Sequence, residues 1–273
     1  MQHDIRPLAG KVALVTGASR GVGKAVALRF AEAGAAVTVT ARSVTTRSDV
    51  PGTVGETTKA IEAAGGRALG VAADLSRLAD IERVVRETLA AFGRIDVVVN
   101  SAAYMEEGLY ETFWQMTPDT WRQQMELNAI GPFYLVKAVA IGMRQQGGGR
   151  IILISSSSGN TNANPLAAPI PGKGGTGVGY ASSKAALNRM TNALATELKE
   201  AHISITALSP GFTLTENAPR MGAKYGFDTK FAHSTAVPAS AALYLATCAD
   251  PMPYSGRYVE SRDLVAQHQL IPL

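Results

Sequence analysis

The sequence Thr16-Gly17-Ala18-Ser19-Arg20-Gly21-Val22-Gly23 is the best indication of the fold, because it directly follows a short apolar run and opens an amphipathic helical pattern. Each glycine has a use at such a strand-to-helix turn. Gly17 allows the tight turn, Gly21 lets the backbone approach a pyrophosphate, and Gly23 permits close packing of the helix on the sheet. The N–H groups and the dipole of the helix start would face the phosphates. A plain tight turn is the alternative, but it does not need all of these glycines.

Short apolar runs alternate with longer amphipathic stretches along most of the chain. They predict helices over residues 23–33, 54–64, 78–92, 118–144 and 180–201, and strands over 12–16, 36–40, 68–72, 96–100, 150–155 and 204–208, with a weaker strand at 257–259. The strands lack polar alternation, which is typical of parallel strands covered on both faces. Repeated strand-helix-strand units imply one doubly wound α/β domain with a seven-stranded parallel sheet flanked by helices.

Composition narrows the class of protein. Hydrophobic residues make up 46% of the 273 residues and charged residues 18%, which is enough for a sizeable core and too apolar for a disordered chain. No apolar run approaches the roughly 18 residues that span a bilayer, and residues 1–8 lack a signal-peptide core. The single cysteine, Cys248, cannot form an internal disulfide. We therefore expect a soluble, cytoplasmic protein with no membrane partner.

The patterns of histidine and of charge argue against a metal-binding protein and against a nucleic-acid-binding protein. The four histidines are scattered, without the close Cys, His or Asp partners of a metal site, so no protein-built metal site is predicted. The 26 basic and 22 acidic residues leave a formal charge of +4, and the bases are spread along the chain instead of clustered. A nucleic-acid partner is not predicted.

The end of the second strand indicates which dinucleotide would bind. Residues 38–43 read Thr-Val-Thr-Ala-Arg-Ser, and no acid occurs between residue 38 and Asp49. A fold that prefers NAD places Asp or Glu here for the ribose 2′-hydroxyl, whereas an arginine suits a 2′-phosphate. Arg42 and Arg20, with Ser43 beside them, could bind that phosphate; the alternative is two solvated surface arginines. The sequence favours NADP(H).

A possible reactive group lies at the start of the last predicted helix. Tyr180 and Lys184 are four residues apart and share a helix face. An adjacent ammonium favours the phenolate and lowers the phenol pKa, so Tyr180 could exchange a proton with a carbonyl or alcohol oxygen. Tyr and Lys also share helix faces by chance, so this pair alone does not establish a proton-transfer site.

Asn128 lies inside a predicted helix, where a kink with bound water could satisfy its buried amide.

Taken together, these motifs resemble the short-chain dehydrogenase/reductase family from residue 11 to about residue 259. The matching motifs are Thr16-Gly17-x-x-x-Gly21-x-Gly23, Asp74-Leu75, Asn100-Ser101-Ala102-Ala103, Asn128, Ser155-Ser156-Ser157-Ser158, Tyr180-x-x-x-Lys184 and Pro210-Gly211. The resemblance implies a Rossmann-type fold in the NADP-preferring branch. It also implies hydride transfer between the nicotinamide and a small-molecule carbonyl compound or secondary alcohol.

The resemblance implies a role for each matching residue. Tyr180 would be the general acid/base, Lys184 would hold the nicotinamide ribose and lower the tyrosine pKa, and Asn128 would anchor a relay water. Ser156 would bind the substrate oxygen, although a register error of one within residues 155–158 stays open. The implied cofactor-binding residues are Gly17, Ser19, Arg20, Gly21, Val22, Gly23, Arg42, Ser43, Asp74, Leu75, Asn100, Ser101, Ala102, Tyr180, Lys184, Pro210, Gly211, Thr213 and Thr215.

The chain departs from the family pattern in several segments. The spacing between Ser156 and Tyr180 is about twice the usual one, so residues 159–179 are interpreted as an inserted loop beside the substrate pocket. Residues 1–10 are interpreted as an N-terminal arm, 212–238 as a substrate-lid region and 260–273 as an atypical tail. By resemblance the helices over 118–144 and 180–201 form subunit contacts, which predicts a homodimer or homotetramer.

Two other functions compete with hydride transfer. A non-catalytic NADP-sensing or regulatory protein could use the same fold, but it would not need Asn128, Ser156, Tyr180 and Lys184 together. Epimerisation or dehydration through a transient ketone is the second alternative. Relatives that catalyse those reactions usually carry extra substrate domains, for which 273 residues leave no room.

Overall fold

Apolar, largely β-branched runs form a sheet that is buried on both faces. The computed structural model describes residues 6–45, 50–106, 108–160, 177–226 and 228–270. Within them the strands are β1 (Val12–Thr16), β2 (Ala36–Ala41), β3 (Arg67–Ala72), β4 (Val97–Asn100), β5 (Gly149–Ile154), β6 (Ile203–Ser209), β7 (Thr213–Leu214), β8 (His233–Ser234) and β9 (Tyr258–Glu260). Seven of them pair in parallel in the order β3-β2-β1-β4-β5-β6-β9, and β7 pairs with β8 separately. The predicted doubly wound sheet is confirmed.

Helices cover both faces of the sheet. They are α1 (Gly21–Glu32), α2 (Val54–Ala63), α3 (Leu78–Phe92), α4 (Pro118–Met125), α5 (Gly131–Gln145), α6 (Val178–Leu198), α7 (Ala218–Tyr225), α8 (Ala236–Thr247) and α9 (Ser261–Gln267). Successive strand residues face opposite sides. Accordingly Val15 packs with Phe30 of α1 in one core, whereas Leu14 packs with Leu135 of α5 in the other. None of the described helices is long and apolar enough to cross a membrane.

The helix predicted over 118–144 is divided in two. Thr117 caps α4 by accepting a hydrogen bond from the Thr120 N–H at 3.1 Å. A single π-helical turn, Glu126–Ile130, then separates α4 from α5, and Asn128 lies inside it. Such turns are insertions that often accompany functional sites. The structural irregularity expected at Asn128 is therefore present, as a widened turn.

The C-terminal third is more ordered than the sequence indicates. Residues 212–238, interpreted from the sequence as a substrate-lid region, contain β7, α7, β8 and the start of α8. The tail contributes α9, whose Leu264 is buried and whose Ser261 donates a hydrogen bond to the Ser209 carbonyl at 2.7 Å. In the N-terminal arm, the Leu8 N–H bonds the Ala33 carbonyl at 2.9 Å. Most of the predicted insertion, residues 161–176, lies outside the described residues, so its role stays a prediction.

The start of α5 depends on the absence of a side chain at Gly131. A Cβ there would overlap the Leu75 carbonyl oxygen, whereas a Cβ at Gly142 of the same helix would meet nothing within 4 Å. Gly131→Ala should lower the free energy of unfolding by about 1–3 kcal/mol. Gly142→Ala should raise it by about 0.5–1 kcal/mol through helix propensity. Urea unfolding measures both, and equal effects would contradict this close approach.

Candidate active site

The glycine turn between β1 and α1 brings three parts of the backbone into contact. Gly17 and Gly21 have φ values of 62° and 58°, which favour glycine. A Cβ on Gly17 would lie 2.6 Å from the Ala102 nitrogen, and a Cβ on Gly23 would overlap the Gly17 carbonyl oxygen. The turn therefore needs glycine at positions 17 and 21 because of the backbone conformation. It needs glycine at positions 17 and 23 because a side chain would not fit.

A cavity of about 560 Å³ runs along the carboxyl edge of the sheet above this turn. It reaches from the end of β2 to the start of α6, and its walls come from segments far apart in the chain. The predicted site residues that line it are Gly17, Ser19, Arg20, Gly21, Val22, Arg42, Ser43, Leu75, Ser101, Ala102, Ser156, Tyr180, Lys184, Pro210, Gly211, Thr213 and Thr215.

Four predicted site residues lie behind the cavity wall. Gly23 packs against the turn, and Asn128 is buried in the π-helical turn. Asn100 accepts a hydrogen bond from the Thr16 hydroxyl at 2.9 Å. The Asp74 carboxylate accepts hydrogen bonds from the N–H and hydroxyl groups of Ser76, at 3.0 and 2.7 Å. The side chains of Asn100, Asp74 and Asn128 therefore bond to other parts of the protein instead of lining the cavity.

Tyr180 and Ser156 meet inside this cavity. Burial raises the pKa of Tyr180 above its usual value, and a hydrogen bond with the Ser156 side chain acts in the opposite direction. The neighbouring serines either bond another residue or are exposed. The Ser155 hydroxyl donates to Asn188 Oδ1 at 2.5 Å, and Ser157 and Ser158 are exposed. Of the four serines in the run, the geometry therefore favours Ser156 as the partner of Tyr180.

Lys184 is buried next to Tyr180 and bonded to the backbone. Its Nζ donates to the Ile154 carbonyl at 2.8 Å and lies 5.8 Å from the centre of the Tyr180 ring. Burial lowers the pKa of Lys184 to about 8. The pKa of Tyr180 is raised in this structure, so the expected lowering by Lys184 stays a prediction. The cost of burying a phenolate dominates, and the ammonium is bonded to a carbonyl instead of the phenol oxygen.

Asn128 connects the π-helical turn to the start of α6. Its Oδ1 accepts from the Tyr104 N–H at 2.8 Å, and its Nδ2 donates to the Ser183 hydroxyl at 3.0 Å. The Ser183 hydroxyl in turn donates to the Tyr180 carbonyl at 2.7 Å. The side-chain amide therefore has protein partners on both atoms, and the chain of bonds holds the backbone of Tyr180 in place.

Two arginines line the other end of the cavity. Arg20 Nη2 donates to the Ser43 hydroxyl at 2.9 Å and to the Gly52 carbonyl at 2.8 Å. Arg42 Nη2 donates to Glu106 Oε1 at 2.9 Å. Both arginines lie where the sequence predicted them. No sequence pattern indicates Glu106, which belongs to the loop after β4 and meets Arg42 only in the folded chain.

A second acidic side chain that the sequence did not indicate lies on the glycine turn. Glu216 Oε2 accepts a hydrogen bond from the Gly21 N–H at 2.7 Å. Gly21 begins α1, so this N–H belongs to the positive end of the helix dipole. The contact spans 195 residues of sequence and could not be inferred from spacing.

The tail supports the segment after β6 through His233. Its Nε2 and the Pro210 carbonyl oxygen are 2.6 Å apart, and Arg262 Nε donates to its Nδ1 at 2.9 Å. These partners assign the ring proton to Nε2. A Cβ on Gly211 would lie 2.7 Å from His233 Cε1. The C-terminal segment thus holds one wall of the cavity in position.

The cavity has the features that a dinucleotide needs. The backbone is bare of side chains at the turn, the first N–H of α1 already donates a hydrogen bond to an anionic oxygen, and arginines lie at the end of β2. At the far end a phenol, a hydroxyl and an ammonium group converge. Fold and site together are those of a dinucleotide-binding protein with a phenol, a hydroxyl and an amino group beside the cavity.

Comparison with known proteins identifies the family. The short chain dehydrogenase family profile matches residues 11–226. The 3-oxoacyl-(acyl-carrier-protein) reductase of Synechocystis sp. is 35% identical over 217 residues, which cover 80% of each chain. The short-chain reductase protein NovJ of Streptomyces niveus is 35% identical over 230 residues, covering 84% of this chain and 79% of NovJ.

Comparison with solved structures points to the same family. A short-chain type dehydrogenase/reductase from Mycobacterium marinum matches with a TM-score of 0.78 and 30% identity, covering 94% of this chain and 96% of its own. A 7α-hydroxysteroid dehydrogenase complexed with NADH and 7-oxo glycochenodeoxycholic acid matches with a TM-score of 0.77 and 28% identity, covering 95% and 96%. The chain belongs to the short-chain dehydrogenase/reductase family, whose members are oxidoreductases that use nicotinamide cofactors and act on small molecules.

The burial of Lys184 makes stability depend on pH. Its pKa of about 8 in the folded chain lies below the ordinary 10.5, so the unfolded chain binds more protons between these values and stability rises with pH there. From pH 8 to pH 10 the free energy of unfolding of the wild type should rise by about 2 kcal/mol relative to that of Lys184→Met. Urea unfolding at each pH measures this difference. The exposed Lys199→Met is the control, and a constant difference for Lys184→Met would contradict the prediction.

Proposed function

We propose that this protein is an NADP(H)-dependent oxidoreductase that transfers hydride between the nicotinamide C4 and a carbonyl compound or secondary alcohol, with Tyr180 as the general acid/base. The observation that carries the proposal is the single cavity that joins the glycine turn and the two arginines at one end to Ser156, Tyr180 and Lys184 at the other. A protein that only senses the cofactor would not need the Ser156 and Tyr180 hydroxyl groups beside the nicotinamide end of the cavity.

Arg42 and Arg20 carry the preference for NADP(H). Both line the cavity at the end of β2, where a 2′-phosphate would lie, and guanidinium groups bind phosphate oxygens through parallel N–H donors. Arg42 is paired with Glu106 at a partly exposed site, and exposed ion pairs are weak enough to exchange for a phosphate. Residue 42 is an arginine where an NAD-preferring protein has an acid.

Ser156 and Tyr180 act on the substrate oxygen. When bound, the reduced nicotinamide supplies the hydride that adds to the carbonyl carbon. Tyr180 donates its phenol proton to the carbonyl oxygen, and the Ser156 hydroxyl donates a hydrogen bond to the same oxygen as charge develops. Burial keeps the phenol protonated at neutral pH, which suits the direction of reduction. In the reverse direction Tyr180 accepts the alcohol proton.

Lys184 and Asn128 support this proton transfer. Below about pH 8 Lys184 carries a positive charge near the phenol ring, which stabilises the phenolate left after proton donation. Its bond to Ile154 also places it at the end of β5, where it would hold the nicotinamide ribose. Asn128 holds the backbone of Tyr180 through Ser183, and we assign it the water-anchoring role at the π-helical turn.

Apolar residues surround the reacting end of the cavity, which favours a substrate with an apolar body. Those lining it include Tyr110, Leu127, Phe212 and Met221. The curated relative named as a 3-oxoacyl-(acyl-carrier-protein) reductase makes β-ketoacyl thioesters a first group to assay. Ketones and quinones complete the panel for NADPH oxidation, and a protein that binds NADPH but turns over none of them would favour the sensing alternative.

Tyr180→Phe should separate catalysis from cofactor binding. Loss of the phenol proton should lower turnover by about a hundredfold to ten-thousandfold. The dissociation constant for NADPH should change little, because the ring and its packing remain. NADPH oxidation and calorimetric titration measure the two effects. Tyr244→Phe, whose hydroxyl contacts Tyr254 away from the cavity, is the control. Undiminished turnover in Tyr180→Phe would refute the acid/base assignment.

Arg42→Ala should distinguish the two dinucleotides. Loss of one charged hydrogen-bond partner of the 2′-phosphate should raise the dissociation constant of NADPH by about tenfold to a hundredfold. The constant for NADH should change little, because NADH has no phosphate there. Arg122→Ala removes an exposed arginine paired with Asp119 outside the cavity and serves as the control. Equal losses for NADPH and NADH would remove the argument for NADP(H).

A further inference from the structure

Two acidic side chains occupy the positions where cofactor phosphates would bind. Glu216 accepts the hydrogen bond of the Gly21 N–H at 2.7 Å, and Glu106 accepts that of Arg42 at 2.9 Å. The first donor belongs to the glycine turn that would face a pyrophosphate, and the second is the proposed partner of a 2′-phosphate. In both cases a carboxylate oxygen takes the place of a phosphate oxygen.

The Glu216 contact satisfies a helix end that lacks local capping. The N-cap residue Arg20 gives α1 no side-chain capping bond, and the first turn of α1 contains no acid. Glu216 supplies the negative charge that stabilises the positive end of the helix dipole. Its neighbour Thr215 also covers the turn, because a Cβ built on Gly21 would lie 3.3 Å from Thr215 Cγ2. A pyrophosphate on this helix end would have to replace the carboxylate.

The loops that carry the two acids are joined above the cavity. Arg220 of α7 donates through Nη2 to the Met105 carbonyl at 3.2 Å and through Nε to Asn217 Oδ1 at 2.9 Å. Met105 precedes Glu106, and Asn217 follows Glu216. Met105, Asn217 and Arg220 all line the cavity. The two carboxylates therefore belong to one connected cover over the cofactor position.

We propose that Glu106 and Glu216 form an acidic latch, which occupies the phosphate positions of the cavity and is displaced when the cofactor binds. This inference rests on the proposed function. The apparent affinity of a ligand falls with the fraction of molecules in which its site is accessible, so the latch weakens dinucleotide binding. NADP(H) displaces both carboxylates. NAD(H), which lacks the 2′-phosphate, displaces Glu216 and leaves the Glu106–Arg42 pair intact.

The test is calorimetric titration of NADPH and NADH into the full chain and its glutamine variants. Glu216→Gln removes the charge at nearly constant shape and should lower the dissociation constants of both dinucleotides about tenfold. Glu106→Gln should lower the constant for NADPH about threefold and leave that for NADH unchanged. Inorganic pyrophosphate is a third probe and should bind more tightly to Glu216→Gln only.

Matched controls separate the latch from a general loss of negative charge. Glu87→Gln removes a half-exposed acid paired with Arg83 on α3, away from the cavity, and should change neither constant. Glu216→Ala is the second variant at that position and should also tighten binding of both dinucleotides, provided that its circular dichroism matches that of the wild type.

The outcomes distinguish the latch from the function on which it rests. Unchanged or weaker binding by Glu216→Gln and Glu216→Ala, with NADPH binding retained in the wild type, overturns the latch and leaves the proposed function standing. Equal tightening of NADPH and NADH by Glu106→Gln overturns the role of Glu106. A wild-type protein that binds NADH but not NADPH overturns the NADP preference, and one that binds neither dinucleotide overturns both proposals.

Discussion

The close approach of bare backbone at the turn between β1 and α1 is the constraint on which the site depends. Gly17 lies against the backbone of Ser101 and Ala102, and Gly23 lies against Gly17. The Thr16 hydroxyl reinforces this junction by bonding Asn100 and accepting the Ala102 N–H at 3.2 Å. Because no side chain separates these segments, the first N–H of α1 lies at the cavity, where it donates a hydrogen bond to the Glu216 carboxylate.

Burial governs the chemistry at the other end of the cavity. Tyr180 and Lys184 are both enclosed by the protein, and in each burial shifts the pKa in the direction that disfavours the charged form. A neutral phenol beside Ser156 is a proton donor, and a nearby lysine that still protonates below about pH 8 can stabilise the phenolate that forms. The scaffold that holds them is polar and fully bonded, running from Asn128 through Ser183 to the backbone of Tyr180.

Local signals in the sequence predicted the parallel sheet, and together with the family resemblance they indicated about half of the residues that line the cavity. The strands are continuous apolar runs, and the glycine turn has a spacing that few other structures need. Helix α8 was not predicted from the sequence, because Ala, Val and Leu cover most of its circumference and no amphipathic period is visible. Helix α9 was missed because a seven-residue helix has few periodic positions.

The contacts that the sequence could not reveal are those between distant polar side chains. Glu216 reaches Gly21, and Glu106 reaches Arg42, only after the loops have folded over the sheet edge. The pKa of Tyr180 is a similar case. Helical spacing places Lys184 near the ring, but the direction of the pKa shift depends on how deeply both groups are buried.

A crystal structure of the complex with NADPH would show where each part of the cofactor binds. We expect the 2′-phosphate to be bonded to Arg42, the nicotinamide ring to lie beside Tyr180 and Ser156, and Glu216 to be displaced from the Gly21 N–H. A 2′-phosphate facing solvent away from both arginines, or a nicotinamide beyond the reach of the Tyr180 hydroxyl, would contradict this expectation.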